Sequence, residues 1–387
     1  MGRGEPAYSE RGAIVMAINF PDSPSVGSTF AANGLVWQWD GAKWIPASSS
    51  GTSFLSLNGG TMQGPLLLQS DPTTPLGAAT KQYVDANYSG FVNKLRNGTM
   101  DVWQRGASVA CPAGANTYTT DGWIVTSVGA ATTVTQGPGP AAAAVAAGPT
   151  LQSLHAAGVS GITALAISQR IEASIAAALG ATVTFSAWVL NNSGAAIAPQ
   201  LQVSHPTTMD IAPYSVNDVN PIALQSCANA AWTRIAYTFT IPQASLNLGV
   251  QITLMFGAVA SGYVRLAAVD IRATPGWPIG LCTNPPPPEL RPIAMELALC
   301  QRYYFSRQMY TTGYAGSTAA GGVLSDGTAF PMTMRAAPTI ALSNLSYGNA
   351  SSVNPTNIQP YTFQFQGTAA AVGAWTVNAN VSASAEL

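Results

Sequence analysis

From Thr182 to Val189 the chain alternates, with Val183, Phe185, Ala187 and Val189 on one side and Thr182, Thr184, Ser186 and Trp188 on the other. Thr233 to Ile241 repeats the pattern through Ile235, Tyr237, Phe239 and Ile241. Gly249 to Phe256 repeats it again through Val250, Ile252, Leu254 and Phe256. A period of two places each apolar set on one face of a strand. Several such strands, separated by Gly, Pro and Asn turns, predict an antiparallel β-sandwich over residues 96–274. A last alternation runs through Trp375, Val377, Ala379, Val381, Ala383, Ala385 and Leu387. Chain ends normally fray, so a buried face there needs cover. Its small residues would let three copies approach an axis, and Trp375, Val377 and Val381 are expected to make trimer contacts.

Other periods fill in the rest. Leu35 to Trp44 reads as a hairpin turning at Asp40-Gly41, which would set Trp37 opposite Trp44 and Trp39 opposite Ala42. Trp37, Trp39 and Trp44 then share a face that either packs on a neighbour, as a particle-attachment surface, or forms a small core within the chain. Val84, Tyr88, Phe91 and Leu95 are spaced four, three and four apart, the seam of a short stem helix that would set the register of a trimer. Pro285 to Pro288 predicts an extended, semi-rigid linker. Pro292 stands where a first helical residue would, opening a helix whose Ile293, Leu297, Cys300, Met295 and Leu299 cover most faces and so predict burial. The order is mainly β: a flexible extension (1–16), a small N-terminal β module (17–50), a repeat and stem (51–95), the jelly-roll sandwich (96–274), a linker (275–291) and a C-terminal β domain (292–387).

Composition narrows the chemistry. Only 8% of the residues are charged while 47% are hydrophobic, against about 25% charged in an average soluble protein. Such a surface must be covered by Ser, Thr, Asn, Gln and Gly, which suits a rigid β fibre. The three lysines (Lys43, Lys81, Lys94) form no basic cluster, which argues against nucleic acid. No apolar run approaches the roughly 20 residues of a spanning helix, so no membrane insertion is expected. Cys111, Cys227, Cys282 and Cys300 are dispersed, which predicts free thiols and no zinc. His155 and His205 stand in no catalytic motif and are read as structural. Neither metal nor cofactor is expected, and the chain is expected not to be an enzyme. What remains is binding through aromatic faces, with subunit packing, sugar stacking and an ordinary half-buried indole as the three readings of its outward tryptophans. Trp188, Trp232 and Arg234 lie on the polar side of their strands, and Tyr310, Tyr314 and Tyr347 belong to a Tyr-rich C-terminal domain. Loops over 311–322 and 343–357 are expected to carry receptor contacts.

Several segments resemble those of bacteriophage tail fibre and receptor-binding proteins. Phe20-Pro21-Asp22-Ser23-Pro24 with Val36 to Trp44 is similar to an N-terminal particle-attachment module. Leu57-Asn58-Gly59-Gly60-Thr61-Met62 with Ala78-Ala79-Thr80-Lys81-Gln82-Tyr83-Val84-Asp85 is similar to the fibre repeat. Asn97-Gly98, Val102-Trp103-Gln104-Arg105-Gly106, Tyr118 to Trp123, Ile167 to Glu172 and Trp232-Thr233-Arg234 resemble a carbohydrate-binding-module-like jelly roll. Arg291-Pro292-Ile293 with Glu296 to Tyr304 resembles the segment joining two distal domains. The resemblance implies a homotrimeric fibre in the virion, assembled in the host cytoplasm, docked on other tail or baseplate proteins by its N-terminus and bound to host cell-surface polysaccharide. A purely structural collar, head or tail decoration fibre is the alternative, with a capsule-degrading depolymerase behind it.

Overall fold

The computed structural model describes residues 19–32, 35–46, 91–141, 151–315 and 323–387. The extension (1–16), the repeat motifs and the seam residues Val84 and Tyr88 lie outside the described residues. The chain divides into two compact units, residues 1–69 and 70–387. No helix among the described residues is long and apolar enough to cross a membrane.

In the first unit β1 (Thr29–Ala32), β2 (Leu35–Trp39) and β3 (Trp44–Pro46) form a sheet in sequence order. Trp39 pairs with Trp44 and Trp37 with Pro46, a different register from the one the Asp-Gly pair suggests. The Asp40 carboxylate explains it by accepting from the backbone N–H of both Ala42 and Lys43 at 2.8 Å. That side chain closes a four-residue loop where a two-residue turn was expected. The three tryptophans still share a face, and the chain covers them itself. Phe20 lies 5.3 Å from Trp37 and 5.4 Å from Trp44, ring centre to ring centre, and Phe30 lies 6.0 Å from Trp44. Of the two readings, the small internal core is the one seen. Exposed apolar side chains in this unit include Val36 and Ile45, on the opposite face.

The second unit begins with the sandwich. Its strands are β4 (Ser108–Cys111), β5 (Asn116–Tyr118), β6 (Trp123–Val128), β7 (Thr132–Pro138), β8 (Gln152–Ala157), β9 (Ala164–Ile171), β10 (Thr182–Asn192), β11 (Gln200–His205), β12 (Val216–Ala223), β13 (Ala231–Thr240), β14 (Val250–Gly257), β15 (Tyr263–Ala273) and β16 (Gly280–Leu281). A seven-stranded sheet runs β16-β13-β10-β15-β8-β7-β4, and a six-stranded sheet runs β12-β11-β14-β9-β6-β5. Between them the predicted inward residues meet: Val183, Phe185, Ala187 and Val189 with Ile235, Phe239, Val250, Ile252 and Leu254, each at most 2% exposed. Tyr237, expected in that set, is half-buried at its edge. Two single-turn helices, α1 (Ala173–Ala176) and α2 (Gln243–Leu246), close one end.

The stem seam does not extend to Leu95. Leu95 is 1% exposed inside the sandwich core, and Phe91 is 41% exposed. The segment is held extended by Asn93, whose Nδ2 donates to Val269 O at 2.9 Å and whose Oδ1 accepts from Ile271 N at 3.0 Å. These bonds tie it to β15. The four-proline stretch is likewise no free spacer. Proline lacks an N–H but keeps its carbonyl, so Pro286 O accepts from Arg234 and Pro287 O from Arg272 at 2.8 Å. The Asp270 carboxylate is held by Arg272 Nε at 2.7 Å and by Glu289 N at 2.9 Å. The stretch is thus strapped across the seven-stranded sheet.

Beyond it, α3 (Ile293–Gln301) starts one residue later than expected, with Pro292 as its N-cap. It is not apolar-buried: Glu296 and Cys300 are its buried residues, while Ile293 and Met295 are 56% and 46% exposed. Ion pairs, not methyl groups, choose its inner face. Six strands complete the chain: β17 (Tyr304–Ala315), β18 (Val323–Ala329), β19 (Thr339–Gly348), β20 (Ala350–Gln359), β21 (Thr362–Ala369) and β22 (Gly373–Ser384). They form the sheets β17-β22-β19 and β18-β21-β20 around one core. That core contains Trp375, Val377, Ala379, Val381, Ala383 and Ala385 with Phe363 and Phe365. The terminal alternation therefore finds its cover within one chain and needs no second copy. All four cysteines are free thiols.

Candidate functional site

The motif residues of the sandwich converge on one place, the joint between it and the C-terminal domain. Asn97 takes a left-handed conformation (φ 52°), leaving its side chain to bond Val102 O and Thr120 Oγ1 at 2.9 and 2.8 Å, and its N–H to meet Glu296. Trp123 Nε1 donates to Asn97 O at 3.0 Å, and Gln169 brackets the Arg96 backbone at both its N–H and its carbonyl. Glu386 receives Arg96 on one oxygen and Arg105 on the other, each at 2.9 Å. Arg291 pairs with Glu289 and Glu296, and Arg302 with Glu172. Arg335 donates to the Ala385 carbonyl, and Tyr118 and Arg170 to the Leu387 carbonyl. Guanidinium planes lie on tyrosines as well, Arg96 3.7 Å from the Tyr303 ring and Arg105 3.6 Å from Tyr304. Burial pushes the Asp121 carboxyl up to about 6 although Arg105 and Gln104 oppose the shift. This region holds structure. Its charged groups are paired chiefly with one another across the two domains.

The outer face of the seven-stranded sheet differs. Cross-strand pairing lines up Thr135, His155, Arg265, Leu190 and Trp232 in one row across β7, β8, β15, β10 and β13. Tyr263 stacks on His155 at 4.4 Å and 26° between planes, and the Arg265 guanidinium lies 4.8 Å from the Tyr263 ring. Arg265 Nε donates to His155 Nδ1 at 3.0 Å. Burial, then the charge of Arg265, holds the imidazole below its usual pKa, so at neutral pH it is uncharged with the proton on Nε2. The row thus presents an indole, a methyl-rich side chain, a guanidinium and a stacked ring pair, all half-buried. Flat aromatic faces with neighbouring N–H donors can receive the C–H face and the hydroxyls of a sugar.

Of the residues expected to bind sugar, Trp232 sits in this row and packs against neither core. Trp188, one pair along β10 and opposite Arg234, packs on Leu151 and Ala268 with its indole N–H enclosed. Arg234 is taken by Pro286. Arg234 belongs to the packing beneath the strap, and Trp188 is covered by Leu151. Tyr310 is 67% exposed on the outer face of β17, opposite Asn378. Tyr347 is 42% exposed but lies beyond a bulge in β19, and its hydroxyl reaches Ser351 O at 3.4 Å. The Tyr314 side chain and residues 316–322 lie outside what is described. The expected receptor loops are mostly strands: 311–315 belong to β17, 343–348 to β19 and 350–357 to β20. His155, Arg265 and Tyr263 escaped the sequence reading. The available signal was period two within Ser153 to Ala157 and Tyr263 to Leu266, which sets His155, Tyr263 and Arg265 opposite Leu154, Val264 and Leu266.

No protein family and no curated protein matches the chain. Among solved structures its fold is distantly similar to carbohydrate-binding β-sandwich domains and to a phage tailspike domain. The CBM22-1 xylan-binding domain of Paenibacillus barcinonensis Xyn10C is 16% identical, with a TM-score of 0.28 over 43% of this chain and 93% of that one. TmCBM61, solved with β-1,4-galactotriose, is 11% identical with a TM-score of 0.27 over 47% and 98%. The enzymatically active domain of bacteriophage CBA120 tailspike protein 4 is 13% identical with a TM-score of 0.31 over 48% of this chain. The match spans 22% of that tailspike chain. Likenesses this distant assign no activity.

Proposed function

We propose that this chain is a glycan-binding fibre subunit of a phage or phage-like particle, attaching the particle to host cell-surface polysaccharide and catalysing nothing. The observation that carries the binding is the row Trp232–Leu190–Arg265–His155, with Tyr263 stacked at its end. The fibre and particle parts rest on the sequence resemblance, and the homotrimer is part of the same reading. If the N-terminal module docks on the particle, the exposed Val36 and Ile45 are better placed to do so than the self-covered tryptophans.

The test is retention of the full chain on immobilised host polysaccharide, with Trp232→Ala as the variant. Loss of one stacking indole should weaken binding about tenfold or more, with no reducing ends released in either case. A wild-type chain that passes through unretained would end the proposal, and a Trp232→Ala variant of unchanged affinity would move binding off this face.

A further inference from the structure

The outer row of the seven-stranded sheet also carries a charge that no described residue balances. Arg96, Arg105, Arg272, Arg291 and Arg302 each pair with a carboxylate. Arg265 pairs with none among the described residues. Its guanidinium is fixed on one side only. Nε donates to His155 Nδ1 at 3.0 Å and Nη1 to Pro138 O at 3.3 Å, while Nη2 has no acceptor and is not enclosed. Gly137 on β7 makes room for it, since a Cβ there would stand 3.3 Å from Arg265 Nε. The guanidinium therefore lies over β8 and β7, with Tyr263 against it. The surrounding positions offer no carboxylate: Thr135 and His155 in its own row, Ala157 and Asn192 beside Tyr263 in the next, Gly137 and Ser153 on the other flank. Burial and the Arg265 charge keep the imidazole neutral, so at neutral pH the patch carries one net positive charge.

In a chain with only 8% charged residues, this unbalanced guanidinium stands in the row that also offers the Trp232 indole. An open guanidinium end grips a planar carboxylate through two parallel N–H bonds. One cation balances one carboxylate, whereas a phosphate monoester carries between about −1.5 and −2 at pH 7 and would stay under-neutralised. We infer that the row selects acidic glycans, holding the carboxylate of a uronate or sialate on Arg265 while another ring of the same saccharide stacks on Trp232. Two strands, β10 and β15, separate β13 from β8, so Trp232 and the guanidinium stand about 14 Å apart at the usual strand spacing. A ligand that touches both is an oligosaccharide, not a single sugar. The inference rests on the glycan-binding reading of this row and adds the charge that its ligand carries.

Calorimetry on the full chain tests it with a galacturonate hexamer and a sialate hexamer, each set against its own methyl ester, which removes the charge and keeps the sugars. At least one acid should bind about tenfold more tightly than its ester, the scale of one charge-assisted contact. Arg265→Gln removes no ion pair, so the fold should stand; it should erase the preference and leave ester binding unchanged. Trp232→Ala should weaken acid and ester alike and keep their ratio. Equal binding of acid and ester, no binding of either acid, or a preference that survives Arg265→Gln would each overturn the inference. So would equal loss of acid and ester in Arg265→Gln, the mark of a purely structural arginine. Retention on host polysaccharide that depends on Trp232 but shows no acid preference would leave the glycan-binding reading standing without this inference. Absence of binding to every saccharide would end both.

Discussion

The sandwich core and the joint are held by opposite means. Between the two sheets lie Val, Ile, Leu and Phe, and the largest fully buried side chains there include Phe185, Leu154 and Ile167. At the joint lie Arg96, Arg105, Arg170, Arg291, Arg302 and Arg335 with Asp121, Glu172, Glu289, Glu296 and Glu386. A chain with only fifteen Lys and Arg and sixteen Asp and Glu concentrates them here. Apolar burial is non-directional and tolerates small shifts of one sheet over the other. Paired charges are costly to bury but lose most when either partner is missing. The contrast teaches that scarce charge in this chain serves to fix one domain against the next, while the surface is left to hydroxyls and amides.

Phe185→Ala should open the core and cost about 4 kcal/mol, the usual scale for a buried Phe. Scanning calorimetry should show the sandwich transition falling sharply; a shift of only a few tenths of a kcal/mol would mean the sheets collapse freely and the contrast is overstated. Glu386→Ala should cost about 3 kcal/mol by leaving Arg96 and Arg105 buried without their shared carboxylate. Its signature should differ in kind: two calorimetric transitions in place of one, and new proteolytic cleavage near the joint. A single, merely lowered transition would show that the ion pairs add stability without coupling the domains.

The third effect is similar in size to the second and depends on pH. Asp121 titrates at about 6 in the folded chain because burial disfavours its charged form, against about 3.9 when unfolded. The folded state therefore holds the proton more tightly. The Asp121 contribution is fully present below about pH 4 and is lost as pH rises through 6, on the order of 3 kcal/mol in all. Subtracting the melting profile of Asp121→Asn from that of the wild type between pH 4 and 7 isolates it. A difference that is flat, or that favours the higher pH, would mean the Arg105 ion pair outweighs burial.

The sandwich strands were legible because alternation is written residue by residue. Val183 to Val189, Ile235 to Ile241 and Val250 to Phe256 each took the inward face their own period required, apart from the half-buried Tyr237. The same logic found the last strand but not its partner. An apolar face shows that burial is needed, not whether one chain or three supplies it, and here β17 and β19 flank β22 while Phe363 and Phe365 face it. Trp232 was readable as an outward indole. Its setting was not, because His155 and Arg265 reach the same row only through strand pairing at a distance. Trp188 shows the reverse error: an outward position that the tertiary structure covers with Leu151.

The sequence by itself therefore determined the β class, the sandwich and the place of its inward residues, because these follow from a two-residue period acting over a few neighbours. It also marked the segments around Asn97, Asp121, Gln169, Arg291 and Glu296, though not their purpose. Only the tertiary structure decided that these segments meet at one joint, that the prolines form a strap, and which polar faces stay open. Those outcomes depend on register between strands and on charge pairs separated by as many as 290 residues. A local pattern carries no information about which distant partner will neutralise a buried charge.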